Sequence, residues 1–470
     1  MYEAQISAYF DRPEVRADLI AGISRLVAVK SVKGEANPGQ PFGPGPAAAL
    51  AEGLALANEW GFSTENVENY VGTADLNEKE TRLHILAHLD VVGEGQGWST
   101  DPYTCVERDG MLYGRGVSDD KGPLVCALLA MRAVRELGLP VSANARLLMG
   151  TDEESGSSDI AYYYSKHPYA PYSFTSDADF PVIHVEKGQY HPTFGASWAE
   201  ESALPRVTGL TGGFRTNVVP PEAECTVSGL TEEQVRPAAE EMARRTGVSF
   251  TCTGGAEGVS IRCAGKNAHA AYPDEGRNAI AALLELLERL PLAECESTRA
   301  LRAMHALFPY GDNRGEALGI AQADEVSGPL TLNLALMTLI GTGFQAKFDV
   351  RFPACATREN CRNACEAHLG RHGFQVLADP DMTSVHYVPA DSELVRTLLE
   401  CYETYTGVTG ARPTYMGGGT YVHDIPGGVA FGCAFPGFEA RMHAPDEQAS
   451  VELLLKACKI YALAIARLCR

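Results

Sequence analysis

The sequence predicts an α/β fold, a mixed sheet between helices, interrupted by an inserted α+β domain. Three observations predict it. Two short, continuously apolar runs, "RLHILAHLD" and "NARLLMGTD", read as strands covered on both faces. Between them "KGPLVCALLAMRAVREL" is an apolar helix with Pro123 in its first turn, so strand, helix and strand follow in the order of a parallel crossover. From about Glu186 the character changes: strand, loop and helix occur twice, in "GVSIRCAGKNAHAAYPDEGRNAIAALLELLERL" and "QAKFDVRFPACATRENCRNACEAHLGRHG", which look like ferredoxin-like halves.

The elements follow in chain order. "RADLIAGISRLVAV" has helical apolar spacing, and "SVKGEANPGQPFGPGP" is a Gly/Pro loop leading into the helix "AAALAEGLALANEW". Near Ser384 the pattern returns to helix and glycine loop, and "SVELLLKACKIYALAIARL" closes the chain as a helix. At 470 residues the chain exceeds what one core accommodates. The expected division is 1–186 and 384–470 for one α/β domain and 187–383 for the insertion.

Composition excludes some partners. With 39 basic against 60 acidic residues the net charge is -21, which disfavours nucleic acid and anionic membrane. The first twenty residues lack a basic start followed by an apolar block, and no apolar run reaches the roughly 20 residues that span a bilayer. The 13 cysteines are scattered, without a C-x-x-C pair, which fits a reducing, cytoplasmic setting. Cys361 and Cys365, four apart on a helix, read as thiols rather than a metal site.

Groups able to do chemistry sit at the ends of apolar segments. His88 and Asp90 are two apart, so they share a face at a strand's C-terminal end, where α/β sheets place their sites. A hydrogen-bonded pair accounts for them, and so does a metal-binding imidazole with its orienting carboxylate. In "YGRGVSDDKGP" Asp119 and Asp120 precede a helix; either caps it, but capping needs only one, and adjacent carboxylates repel without a cation. "LLMGTDEESGSSD" places Asp152, Glu153 and Glu154 after a strand, as a solvated acidic loop or as ligand and general base. Asp177 and Asp179 follow in "FTSDADFPVIHVEKG", and His443 in "FPGFEARMHAPDE". The joint pattern favours one crevice. Asp119, Glu154 and Asp177, with a bridging hydroxide, balance two divalent cations when His88 and His443 are neutral. Mixed nitrogen and oxygen ligation suits zinc first, with manganese or cobalt as alternatives.

These segments resemble metallopeptidase family twenty, the aminoacylase, carboxypeptidase and dipeptidase family. "HLDVV", "GRGVSDDKG", "TDEESGSSD" and "MHAPDE" carry the likeness; "TSDADFPVI" with "EKG", "SVHYVP", "GGGT" and "FPGFEARMH" are similar to its dipeptidase V branch. The resemblance runs from about residue 10 to 468. It implies a zinc-peptidase-like catalytic domain interrupted by a lid, with a cis peptide between Asp119 and Asp120. By resemblance, Asp119 bridges two metals, His88 and Asp177 complete one, and Glu154 and His443 the other. Asp90 orients His88, and Glu153 is the general base. Lid residue His269 stabilises the oxyanion, and Asn217, Arg351 and the loop Gly417–Thr420 (Gly418, Gly419, Thr420) hold the substrate's C-terminal carboxylate. The implied activity is hydrolysis of dipeptides by a monomer; N-acyl amino acid deacylation is the alternative. The departures are His184 in "HVEKG" and the tail "MHAPDEQAS".

Overall fold

The computed structural model describes residues 2–470. Two compact units divide the chain. The first takes in everything up to Val185 together with His386–Thr414 and Gly419–Arg470; the second comprises Glu186–Val385 and Tyr415–Gly418. Tyr415–Gly418 is a short excursion with no compositional signature.

In the first unit a mixed sheet is parallel at its centre. Asn144–Gly150, Thr81–His88, Tyr172–Thr175 and Val429–Ala430 run side by side in one direction. Val71–Asp75 and Ser63–Val67 add antiparallel strands at one edge. Leu83 through His88 are all buried, as suits a strand paired on both sides at the centre of the sheet. Helices Lys121–Glu136 and Val451–Leu468 pack on each other and on Thr81–His88. Leu83, Ile85, Leu147 and Met149 are fully buried, and each contributes about 2 kcal/mol of apolar burial. On Pro44–Glu59, Gly53 permits a close approach: a Cβ there would lie 3.1 Å from Leu89 and 3.2 Å from Met149. The sheet centre is therefore the rigid platform from which the strand ends project.

The second unit is built around one long antiparallel sheet. Its order runs Ser249–Gly255, Gly258–Ala264, Glu222–Ser228, Arg206–Gly212, Thr331–Ile340, Gly343–Phe352, Thr193–Ser197 and Gln375–Ala378. The two halves legible in the sequence join where Arg206–Gly212 pairs with Thr331–Ile340. Glu222–Ser228 and Gly258–Ala264 alternate buried and open positions, as strands with one covered face do. The covering helix Glu232–Thr246 starts with a capping box, Thr231 with Gln234, and stops at Gly247, whose φ of 70° suits a left-handed cap. Cys361 and Cys365 are both buried there, as thiols.

Candidate metal centre

The first unit collects the predicted groups at the carboxyl ends of its parallel strands. His88 ends Thr81–His88, opposite Gly150, the last residue of the neighbouring strand. Glu153 and Glu154 lie on the turn that follows Gly150, and Asp177 follows the strand Tyr172–Thr175. Asp119 precedes helix Lys121–Glu136, across a cis peptide to Asp120. His443 arrives from the far end of the chain with φ 61°. Gly150 has to be glycine: a Cβ there would overlap the Tyr421 hydroxyl and the Asp159 carboxylate.

Two triads result, each with ligand-capable atoms within 4.8 Å of one another: His88, Glu153 and Asp177, and Asp119, Glu154 and His443. Asp119 faces both imidazoles, with Oδ1 3.0 Å from His88 Nε2 and Oδ2 2.9 Å from His443 Nε2. Asp177 lies 3.5 Å from His88 Nε2, and Glu154 3.1 Å from His443 Nε2. All five predicted ligands are therefore brought together, with Glu153 among them.

The acids around these groups separate into two kinds. The Asp119–Asp120 alternatives are decided by hydrogen bonding. Asp120 occupies the N-cap position but makes no side-chain cap; its Oδ2 accepts the backbone N–H of His88 at 3.1 Å. The Asp90 carboxylate lies 3.5 Å from His88 Nδ1 and is engaged elsewhere as well. The bond to His88 Nδ1, 2.9 Å, comes from the main-chain carbonyl of Asp90, while its carboxylate accepts the backbone N–H groups of Glu153 and Glu154 at 3.2 and 3.1 Å. Asp152 is turned away, held by Lys33 at 2.6 Å and by Ser158. Asp159, which the sequence reading passed over, accepts the N–H of Thr151 at 2.6 Å and of Asp152 at 3.0 Å, and the Tyr421 hydroxyl. Thr151 and Asp152 lie eight and seven residues before it in the same "GTDEESGSSD" run, whereas Tyr421 arrives from far along the chain.

The donor set fits cations. Because His88 Nδ1 must donate to the Asp90 carbonyl, its buried Nε2 carries a bare lone pair, and that atom makes no hydrogen bond. A lone pair aimed at Asp119 and Asp177 is unfavourable unless a positive charge stands between them. Without one, protons take the place. Burial disfavours an imidazolium, yet Asp119, Asp177 and Asp90 raise His88 well above its ordinary value, and Asp119 and Glu154 raise His443 to about 11. Burial and neighbouring acids raise Glu153, Glu154 and Asp177 above the usual carboxylate range. Asp119 is buried too, but the two imidazoles hold it far below that range. A pair of divalent cations relieves the same repulsion without those protons.

The predicted substrate-holding residues fall mostly in the second unit. Asn217 and His269 sit on adjoining turns, where Val218 bridges His269 and the Asn217 carbonyl accepts Ala270 N–H at 2.9 Å. His269 Nδ1 accepts Ala271 N–H at 3.2 Å, which puts the ring proton on Nε2. Arg351 turns its fork onto Asp349, at 2.7 and 2.9 Å, and gives Nη1 to the Gly417 carbonyl at 3.0 Å. Gly418 belongs to this unit, Gly419 and Thr420 to the first, where Thr420 caps the short turn Tyr421–Asp424.

The Arg351 pair carries a prediction. Burial raises the Asp349 carboxyl, but Arg351 and His191 outweigh it and hold the group at about 2. A depressed carboxylate stabilises the fold above its ordinary value near 4, and that share is lost as pH falls toward 2. It amounts to about 2 kcal/mol. In urea titrations from pH 6 to pH 2.5, wild type should show this acid-dependent loss, and Asp349→Asn should lack it.

Comparison with known proteins follows the geometry. A family model described as "Peptidase family M20/M25/M40" matches residues 84–467. The chain belongs to this peptidase family. This M20 chain is 33% identical over 460 residues to "Putative dipeptidase YtjP" of Bacillus subtilis (strain 168), covering 97% of this chain and 98% of that protein. It is 30% identical over 456 residues to "Beta-Ala-Xaa dipeptidase" of Lactobacillus delbrueckii subsp. lactis, covering 96% of each. Among solved structures, human carnosine dipeptidase 1 matches with a TM-score of 0.58 at 15% identity, over 100% of this chain and 99% of that one. At that identity the likeness shows the fold alone. No helix among the described residues is long and apolar enough to cross a membrane.

Proposed function

We propose that the chain is a metal-dependent dipeptidase, using two divalent cations with zinc first among them. The carrying observation is Asp119, one oxygen toward each imidazole, beside a buried His88 Nε2 with no hydrogen bond. His88, Asp119 and Asp177 would hold one cation and Asp119, Glu154 and His443 the other. The relatives named as dipeptidases over nearly their whole length support the substrate class.

When bound, the cations supply Lewis acidity and make water more acidic. The chain's own residues do the rest. Glu153, its carboxyl made more basic by burial and by Asp177, accepts the proton of the attacking water and passes it to the leaving amine. Asp90 fixes the turn that carries Glu153 by accepting its backbone N–H. We assign His269, whose proton is on Nε2, to the developing oxyanion. Arg351, with Asn217, Gly418, Gly419 and Thr420, is assigned to the substrate's carboxylate.

The test is a panel of dipeptides, β-alanyl dipeptides included, and N-acyl amino acids, run after chelation with zinc, manganese and cobalt restored separately. Chelation should abolish dipeptide hydrolysis, and one of these metals should restore it at about two ions per chain. Turnover of N-acyl amino acids without dipeptides overturns the substrate assignment. Undiminished turnover in the metal-free protein overturns the mechanism.

A further inference from the structure

Resting on the two-cation reading above, we infer that Glu447 is a positioning residue, a clasp that sets the Asp119 carboxylate between the two cations. Glu447 is fully buried and lies four residues after His443. Its carboxylate accepts Arg115 Nη1 at 2.7 Å and the backbone N–H groups of Gly116, Ser118 and Asp119 at 3.1, 2.9 and 3.2 Å. Its main-chain carbonyl accepts Gly114 N–H at 3.1 Å. All these partners lie in one short loop, the one that delivers Asp119.

Two features separate this from an ordinary buried ion pair. Arg115 bonds Oε2, whereas Oε1 takes Ser118 and Asp119 and shares Gly116, so the acid reaches the peptide nitrogen of the proposed bridging residue itself. Backbone N–H groups converging on one oxygen form a cradle that only an acceptor can fill. The segment that carries Glu447 also carries His443 and then pairs as Gln448–Ser450 with Met111–Tyr113. One stretch of chain thus brings in an imidazole and fixes the carboxylate that faces it at 2.9 Å. The glycines of "YGRGVSDD" let the loop curl around the acid: Gly116 has φ 91°, and a Cβ there would come within 2.9 Å of Lys121. Trp98 lies over the Arg115 guanidinium at 5.2 Å and holds the far side of the pair.

Glu447→Gln tests the clasp, because an amide of the same shape either points donors at donors or gives up Arg115. Full-length wild type and variant are titrated with cobalt(II), reading stoichiometry, affinity and the visible spectrum, and are assayed on a dipeptide. We expect two cobalt ions per wild-type chain. In the variant one ion should bind about 10- to 100-fold more weakly with an altered spectrum. Its kcat should fall by a similar factor while KM stays within about twofold. A variant that melts earlier yet keeps cobalt affinity, spectrum and kcat overturns the inference, since that is what a purely structural acid would do. Wild type binding fewer than two ions overturns the two-cation reading and the clasp with it; wild type binding two with an unaltered variant overturns the clasp alone. Should the amide variant fail to fold, Glu447→Asp keeps the charge and withdraws it by one methylene. Weaker cobalt binding there supports the clasp, and unchanged binding overturns it.

Discussion

Glu153→Gln should leave both cations in place and lower kcat about 10³-fold, with KM little changed. The amide keeps the size and position of the side chain but cannot accept a proton, and a positioned general base contributes roughly 10²- to 10⁴-fold. In barrier terms the loss is about 4 kcal/mol. The turn carrying the side chain is tied to the Asp90 carboxylate through the Glu153 and Glu154 amides, so the substitution leaves its placement intact. Metal analysis and steady-state kinetics on the same preparation check it. Glu153 also lies within ligand reach of His88 and Asp177. A variant that holds a single ion would make Glu153 a ligand and end its assignment as the base.

Asp119→Ala should have the larger effect on the metals. Each Asp119 oxygen faces a different imidazole, so removing the side chain strips one ligand from both proposed ions at once. Only two side chains of each proposed set then remain, His88 with Asp177 and His443 with Glu154. Elemental analysis should find well under one ion per chain, and dipeptide turnover should fall below detection. Circular dichroism should show an intact fold, because the sheet centre and its helices do not depend on this loop. Two ions retained at wild-type affinity would remove Asp119 from the bridging place.

Much of this site is legible in the chain itself. Apolar runs that end in His88-x-Asp90, in Asp152-Glu153-Glu154 and before Asp177 identify the strand ends, because charged groups are costly inside a buried strand. Strand and helix alternation announces the parallel sheet. The roles of the acids are less legible. Asp120 looks like a helix cap from its place, yet its carboxylate accepts a backbone N–H of another segment, and Asp90, whose carboxylate lies 3.5 Å from His88 Nδ1, also accepts two such groups from the turn after Gly150. Glu447 carries no local signal at all, since every partner that defines it is distant in sequence.

The sequence by itself determined the fold class and which residue types stand just after the apolar runs. These follow from local periodicity and from the expense of burying charge. Only the tertiary structure decided which carboxylates face the imidazoles and which grip the main chain. The physical reason is that hydrogen-bond geometry depends on register, such as His88 opposite Gly150, and on the return of residues 443–450 to the loop before Asp119. Neither is a property of any single stretch of chain.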